Sequence, residues 1–128
     1  MEVSNIDGSV DVDADNGRIV LARITGSIVV NSDNGRVEGT GLSGSSVNAQ
    51  SDNGRIELAF TDAPDNVVAK SDNGRIEIAV PTVDEGYDIT MQSDNGSETS
   101  TGLVNDPNSP RVIRAEADNG SITIRSTG

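Results

Sequence analysis

The triplet Asp-Asn-Gly occurs six times in this chain: Asp15-Asn16-Gly17, Asp33-Asn34-Gly35, Asp52-Asn53-Gly54, Asp72-Asn73-Gly74, Asp94-Asn95-Gly96 and Asp118-Asn119-Gly120. Successive asparagines are 18, 19, 20, 22 and 24 residues apart, a slowly lengthening period. The residue before each triplet is small (Ala14, Ser32, Ser51, Ser71, Ser93, Ala117). The residue after it is Arg in four copies (Arg18, Arg36, Arg55, Arg75) and Ser in two (Ser97, Ser121). A fixed period near twenty residues marks a repeat architecture in which each unit shares its core with its neighbours. Without the repeat, a chain with 33% hydrophobic and 2% aromatic residues would read as too poor in apolar surface to fold.

Both flanks of the triplet alternate. Five residues before each Asp stands Val10, Ile28, Val47, Val67, Ile89 or Ile113, always β-branched. Three before it stands Val12, Val30, Ala49, Ala69, Met91 or Ala115. Two and four residues after the Gly stand Ile19/Leu21, Val37/Gly39, Ile56/Leu58, Ile76/Ile78, Glu98/Ser100 and Ile122/Ile124. A period of two in β-branched residues on either side of a turn triplet predicts strand–turn–strand in every repeat. The chain is expected to be one all-β domain over residues 1–128, cut from a longer protein.

Two architectures use this unit. Asn-Gly between alternating strands is the usual signal for a two-residue type I′ hairpin, which would give an antiparallel meander. The other is a single-chain parallel β-helix, or solenoid, of about six coils with Asp-Asn-Gly at the same corner of each. The solenoid is favoured because stacking supplies a reason for identical corners: like side chains ~4.8 Å apart form ladders, and Asn amides exchange hydrogen bonds along them. The Asn side chains are then expected to point into the corner. Length variation falls in the opposite connection, from 23–26 in the first coil to 101–110 in the fifth, with 81–87 another long segment.

Strings such as Ser51-Asp52-Asn53-Gly54-Arg55-Ile56-Glu57-Leu58 and Ser71-Asp72-Asn73-Gly74-Arg75-Ile76-Glu77-Ile78, followed by Val80-Pro81, resemble the bacterial β-strand-repeat proteins known as Toastrack or adhesin-like domains. Ala117-Asp118-Asn119-Gly120-Ser121-Ile122-Thr123-Ile124 continues the pattern, so the resemblance spans nearly the whole chain. It implies a parallel β-helix in membrane-associated or exported proteins of the cell envelope, often tied to envelope-stress systems, and it carries over no catalytic residues. The fifth repeat departs from the pattern through Glu98 and Ser100, and a looser or bulged coil is expected there.

Charge and residue usage narrow the function. Lys+Arg 9 against Asp+Glu 21 gives −12, which makes nucleic acid and anionic lipid poor partners. No apolar run is long enough for membrane insertion by this segment. The absence of Cys and His removes thiolate sites, the commonest general base and the commonest zinc ligand. No enzyme activity and no cofactor are expected. Lys70, the one lysine, has no partner evident from sequence to make it a lyase base.

The remaining candidates are outward-facing. The six Asp of the triplets would stack as a carboxylate row, each pair repelling by roughly 1 kcal/mol in water. Calcium could bridge them, or each Asp could cap its own turn with the Arg row compensating the charge. The Gly-Gly pairs of calcium-binding solenoid repeats are missing. Residues 11–17 imitate the opening of an EF-hand loop, but the Gly is one place late and Ala22 stands where the bidentate Glu belongs. Arg36/Glu38, Arg55/Glu57 and Arg75/Glu77 would form parallel rows, read either as cross-strand ion pairs on a solvated face or as a recognition surface. The expectation is a non-catalytic structural or adhesion-type module, with a calcium- or glycan-binding module as the alternative. Its partner would be a protein or polar polymer of the cell surface. End-to-end self-association through open sheet edges is a further expectation, with Glu2, Asp7 and Arg125 as the charges guarding the ends.

Overall fold

The computed structural model describes residues 2–43, 46–62, 64–81, 86–101, 106 and 108–126. Strand β1 (Glu2–Asp7) precedes the first triplet, and the remaining strands come in pairs around the six triplets. They are β2 (Val10–Asn16) with β3 (Ile19–Thr25), β4 (Ser27–Asn34) with β5 (Val37–Leu42), and β6 (Ser46–Asn53) with β7 (Ile56–Phe60). Then follow β8 (Asn66–Asn73) with β9 (Ile76–Val80), β10 (Asp88–Ser93) with β11 (Glu98–Thr101), and β12 (Val112–Asn119) with β13 (Ile122–Ser126).

The two strands of a repeat do not pair with each other. Every pairing among the described residues is parallel and joins equivalent strands of different repeats. The result is a solenoid of about six coils, and the meander is excluded. Each coil contributes its first strand to a six-stranded sheet and its second to a seven-stranded sheet that also holds β1. The inner faces of the two sheets share one thin core, which is why the inward positions are Val, Ile, Leu and Ala. The β-branched residue five places before each Asp is buried in all six coils, from Val10 to Ile113.

Coil order departs from chain order at one end. The seven-stranded sheet runs β1-β3-β5-β7-β9-β13-β11, and the other runs β10-β12-β8-β6-β4-β2. The sixth coil (β12–β13) therefore lies between the fourth (β8–β9) and the fifth (β10–β11). The inward residues explain the exchange. Ile122 and Ile124 are 0% exposed in the interior position, whereas Glu98 and Ser100 in the terminal coil remain exposed. Seating the fifth coil directly on the fourth would bury a carboxylate and a hydroxyl between sheets, at a cost of several kcal/mol. The fifth repeat is thus a polar end cap rather than a loosened interior coil. Arg125, expected at an end, sits on an interior strand paired on both sides.

The connections around this exchange are tied down by the described residues. Tyr87 is fully buried and its hydroxyl donates to the Pro81 carbonyl at 2.5 Å. The Ser109 hydroxyl donates to the Gly86 carbonyl at 2.9 Å, and the Arg111 guanidinium pairs with Asp65 at 2.8 Å. Residues 82–85, 102–105 and 107, which make up most of the long segments singled out above, lie outside the described residues. The segment 23–26, read as a connection, is mostly strand: β3 continues to Thr25, and only Gly26 separates it from β4. Within it Arg23 adopts φ 53°, beneath Gly41 at 62° and above Asn5 at 56°. These left-handed residues stack in three successive strands, and the pairing register shifts there between Gly39 and Leu42.

Candidate functional site

The corner carries three ladders. The Asn34 amide donates to Asn16 Oδ1 at 3.2 Å, and Asn53 donates to Asn34, and Asn73 to Asn53, at 2.9 Å each. The ladder continues in spatial rather than chain order, from Asn119 to Asn73 at 2.9 Å and from Asn95 to Asn119 at 2.8 Å. All six asparagines are exposed, so the row runs along the outer rim and not inside the corner as expected. None of them has a positive φ, so the corner is not a type I′ turn.

The glycines answer to a different constraint. A Cβ on Gly54 would lie 1.7 Å from the Gly35 carbonyl oxygen, and one on Gly120 would lie 1.7 Å from that of Gly74. Stacked corners approach so closely that only glycine fits. The small residue before the triplet has its own task, which the sequence reading did not find. Ser51 donates to the Gly35 carbonyl at 3.3 Å, Ser71 to Gly54 at 3.1 Å, and Ser93 to Gly120 at 2.8 Å. Ser32 is buried at the same position, and its hydroxyl has no partner.

Beside these ladders run the carboxylates of Asp15, Asp33, Asp52, Asp72, Asp118 and Asp94. All six are exposed. Among the described residues, no group of three or more acidic side chains converges closely enough to hold a metal ion.

Outward residues of the seven-stranded sheet form the other candidate surface. Glu38, Glu57 and Glu77 stand in register on β5, β7 and β9. Each is gripped by the arginine two residues before it, in the corner just ahead of its strand. Arg36–Glu38 is 3.0 Å, Arg55–Glu57 3.1 Å and Arg75–Glu77 3.8 Å. The pairs therefore lie within one coil, corner to strand, and not across strands as expected, because side chains two apart along extended chain share one face. Next to the glutamates the outward residues are short: Thr40, Ala59 and Ala79. This change of side-chain length opens a shallow groove of about 290 Å³ across three coils, floored by Gly39 and Leu58. Arg125 closes one end, brought beside Ala79 by the β13–β9 pairing.

On the opposite sheet Lys70 faces Glu116 at 3.6 Å, and Glu116 also pairs with Arg114 at 3.1 Å. Lys70 gains that partner only because the sixth coil lies beside the fourth, which chain order does not reveal. The surface offers ordered rows of opposite charge and a groove with carboxylate edges. No family model, curated protein or solved structure matches the chain.

Proposed function

We propose that the chain is a non-catalytic structural or adhesion-type module of the bacterial cell envelope, as its likeness to Toastrack strings implies, serving an envelope-stress system. The observation that carries this reading is the division of labour among the residues. The Asn, Gly and Ser of the repeated motif are taken up in holding coils together. The outer face of the seven-stranded sheet carries in-register Arg and Glu rows beside a groove that runs across coils. A surface with a repeat of ~4.8 Å suits a polymer or protein that is itself extended and polar. Such a module acts by holding a partner.

The test is retention of the chain on purified cell-envelope polysaccharide and on whole envelope fractions. The wild type is expected to be retained, and the double variant Glu57→Ala/Glu77→Ala to be retained at least about tenfold less, as for loss of two charge-assisted contacts. Equal retention of both, or of neither, defeats this reading. The alternative reading, a calcium-binding module, would draw on the exposed Asp row, in which no three carboxylates converge among the described residues. Calorimetric titration with Ca²⁺ separates the two: no heat and no thermal shift remove the second.

A further inference from the structure

We propose that Asn95 is a modification site: its side-chain amide is lost to attack by the Gly96 backbone nitrogen, and the residue becomes aspartate or isoaspartate while the other five asparagines of the ladder keep their amides.

Sequence offers six such sites and does not rank them. Every ladder asparagine is followed by glycine, which has no side chain to keep its nitrogen from closing a ring on the asparagine Cγ. Asn95 and Asn119 even share the same local string, Asp-Asn-Gly-Ser. The chemistry needs only water. The Gly96 nitrogen gives its proton to solvent and bonds to Asn95 Cγ, the Cγ–Nδ2 bond breaks, and ammonia leaves a succinimide. Water then opens the ring, at Cγ to give aspartate or at the backbone carbonyl carbon to give isoaspartate. One water is consumed for each ammonia released, and nothing is oxidised or reduced.

The fold ranks the six. Asn16, Asn34, Asn53, Asn73 and Asn119 each close a strand and are paired in register with an asparagine of a neighbouring coil. Strand β10 ends at Ser93, so Asn95 lies outside any strand. The nucleophile differs as well. Gly17 donates its N–H to the Asn34 carbonyl at 3.0 Å, Gly35 to Asn53 at 3.1 Å and Gly54 to Asn73 at 3.2 Å, always toward the next coil. A nitrogen held in this way must break its bond and leave the sheet before it can attack. These bonds make the two ends of the stack unequal. At the first end the Gly17 N–H reaches inward and is held. At the other end β10 and β11 are outermost, no further coil follows, and the Gly96 N–H has no acceptor among the described residues.

Enclosure separates Asn95 from its twin Asn119. Gly120 is half-buried, stacked on the Gly74 carbonyl, and its own carbonyl lies under Gly96 and accepts from the Ser93 hydroxyl. Gly96 is exposed. The modification also breaks the ladder at its end. Asn95 donates its amide to Asn119 Oδ1 at 2.8 Å, and an aspartate has no N–H to give. The polar end coil loses that rung and gains a charge beside Asp94.

The full-length chain, kept folded in mildly alkaline buffer and sampled over time, tests this by peptide mass spectrometry with detection of isoaspartate. Asn95 is expected to lose its amide at least about tenfold faster than Asn119 or Asn16, the factor that one retained corner hydrogen bond supplies. In denaturant the rates of Asn95 and Asn119 should converge, because their local strings are the same. Equal rates in the folded chain, or Asn16 as the fastest site, overturn the proposal. A preference for Asn95 that persists undiminished in denaturant overturns it too, since the fold would then not be the cause.

Discussion

Gly54 and Gly74 are held to glycine by a neighbour's backbone, not by their own torsion angles. Replacing either with Ala drives a methyl group onto the carbonyl of the coil below, and the corner must open. Gly54→Ala should lower stability by about 3 kcal/mol in urea unfolding. Gly17→Ala meets nothing within 4 Å and suffers only from its φ of 129°, which should cost about 1–2 kcal/mol. Equal losses at the two sites would refute close stacking as the cause. The asparagines should show a gentler gradient, since their ladder is exposed. Asn53→Ala removes two ladder bonds, roughly 1 kcal/mol in all, and Asn16→Ala or Asn95→Ala removes one and about half as much. Asn119→Ala belongs with the larger losses, although chain order alone would place it at an end. At this scale the inward residues were legible from period two, because burial follows from the pleat. The reason for Gly, the rim position of the Asn row and the hydroxyl ladder of Ser51, Ser71 and Ser93 were not. They depend on how closely one coil lies on the next, a distance that no single repeat encodes.

Among the elements, β11 and β13 show what a departure from pattern means. Glu98 and Ser100 were visible as exceptions in the sequence, but an exception can mark a bulge or an end. The choice is made by competition: the coil with Ile122 and Ile124 takes the interior place and leaves the polar coil outside. Ile122→Ser should therefore destabilise the fold by about 3 kcal/mol, as deletion of a fully buried side chain plus burial of a hydroxyl. Glu98→Ile/Ser100→Ile should not stabilise correspondingly. It places apolar side chains on an open edge and should appear instead as concentration-dependent association in gel filtration. A gain of ~2 kcal/mol or more in a protein that stays monomeric would place the fifth coil inside the stack. The Arg–Glu pairs of β5, β7 and β9 contribute little by comparison, since exposed pairs of this kind are worth ~0–1 kcal/mol each.

For the molecule as a whole, the ladders have a direction and the edges have a charge. The outermost described strands are β1 and β2 at one end and β10 and β11 at the other. They carry Glu2, Asp7, Asp11, Asp13 and Asp15 at the first and Asp88 and Glu98 at the second, without a single Lys or Arg. Asn16 keeps an amide free at one end and Asn95 a carbonyl oxygen at the other, so the hydrogen bonds of head-to-tail stacking match while the charges repel. End-to-end association should consequently be absent at low ionic strength and rise toward 1 M salt, where the screening length falls to ~3 Å. Sedimentation across a salt series checks this, and association that weakens with salt would defeat it. The same salt series should raise the midpoint of thermal unfolding, because the exposed Asp row and the overall charge of −12 are both self-repelling.

The insertion of the sixth coil has a mechanical consequence. A load applied between Glu2 and Ser126 reaches the two ends of the chain unequally. At Glu2 it acts on β1, which is zipped to β3 alone and can peel one bond at a time. At Ser126 it acts on β13, which is gripped by β9 on one side and β11 on the other, so two rows must rupture together. Under tension the solenoid should unwind from its first coil, while the last acts as a wedge that stays in place.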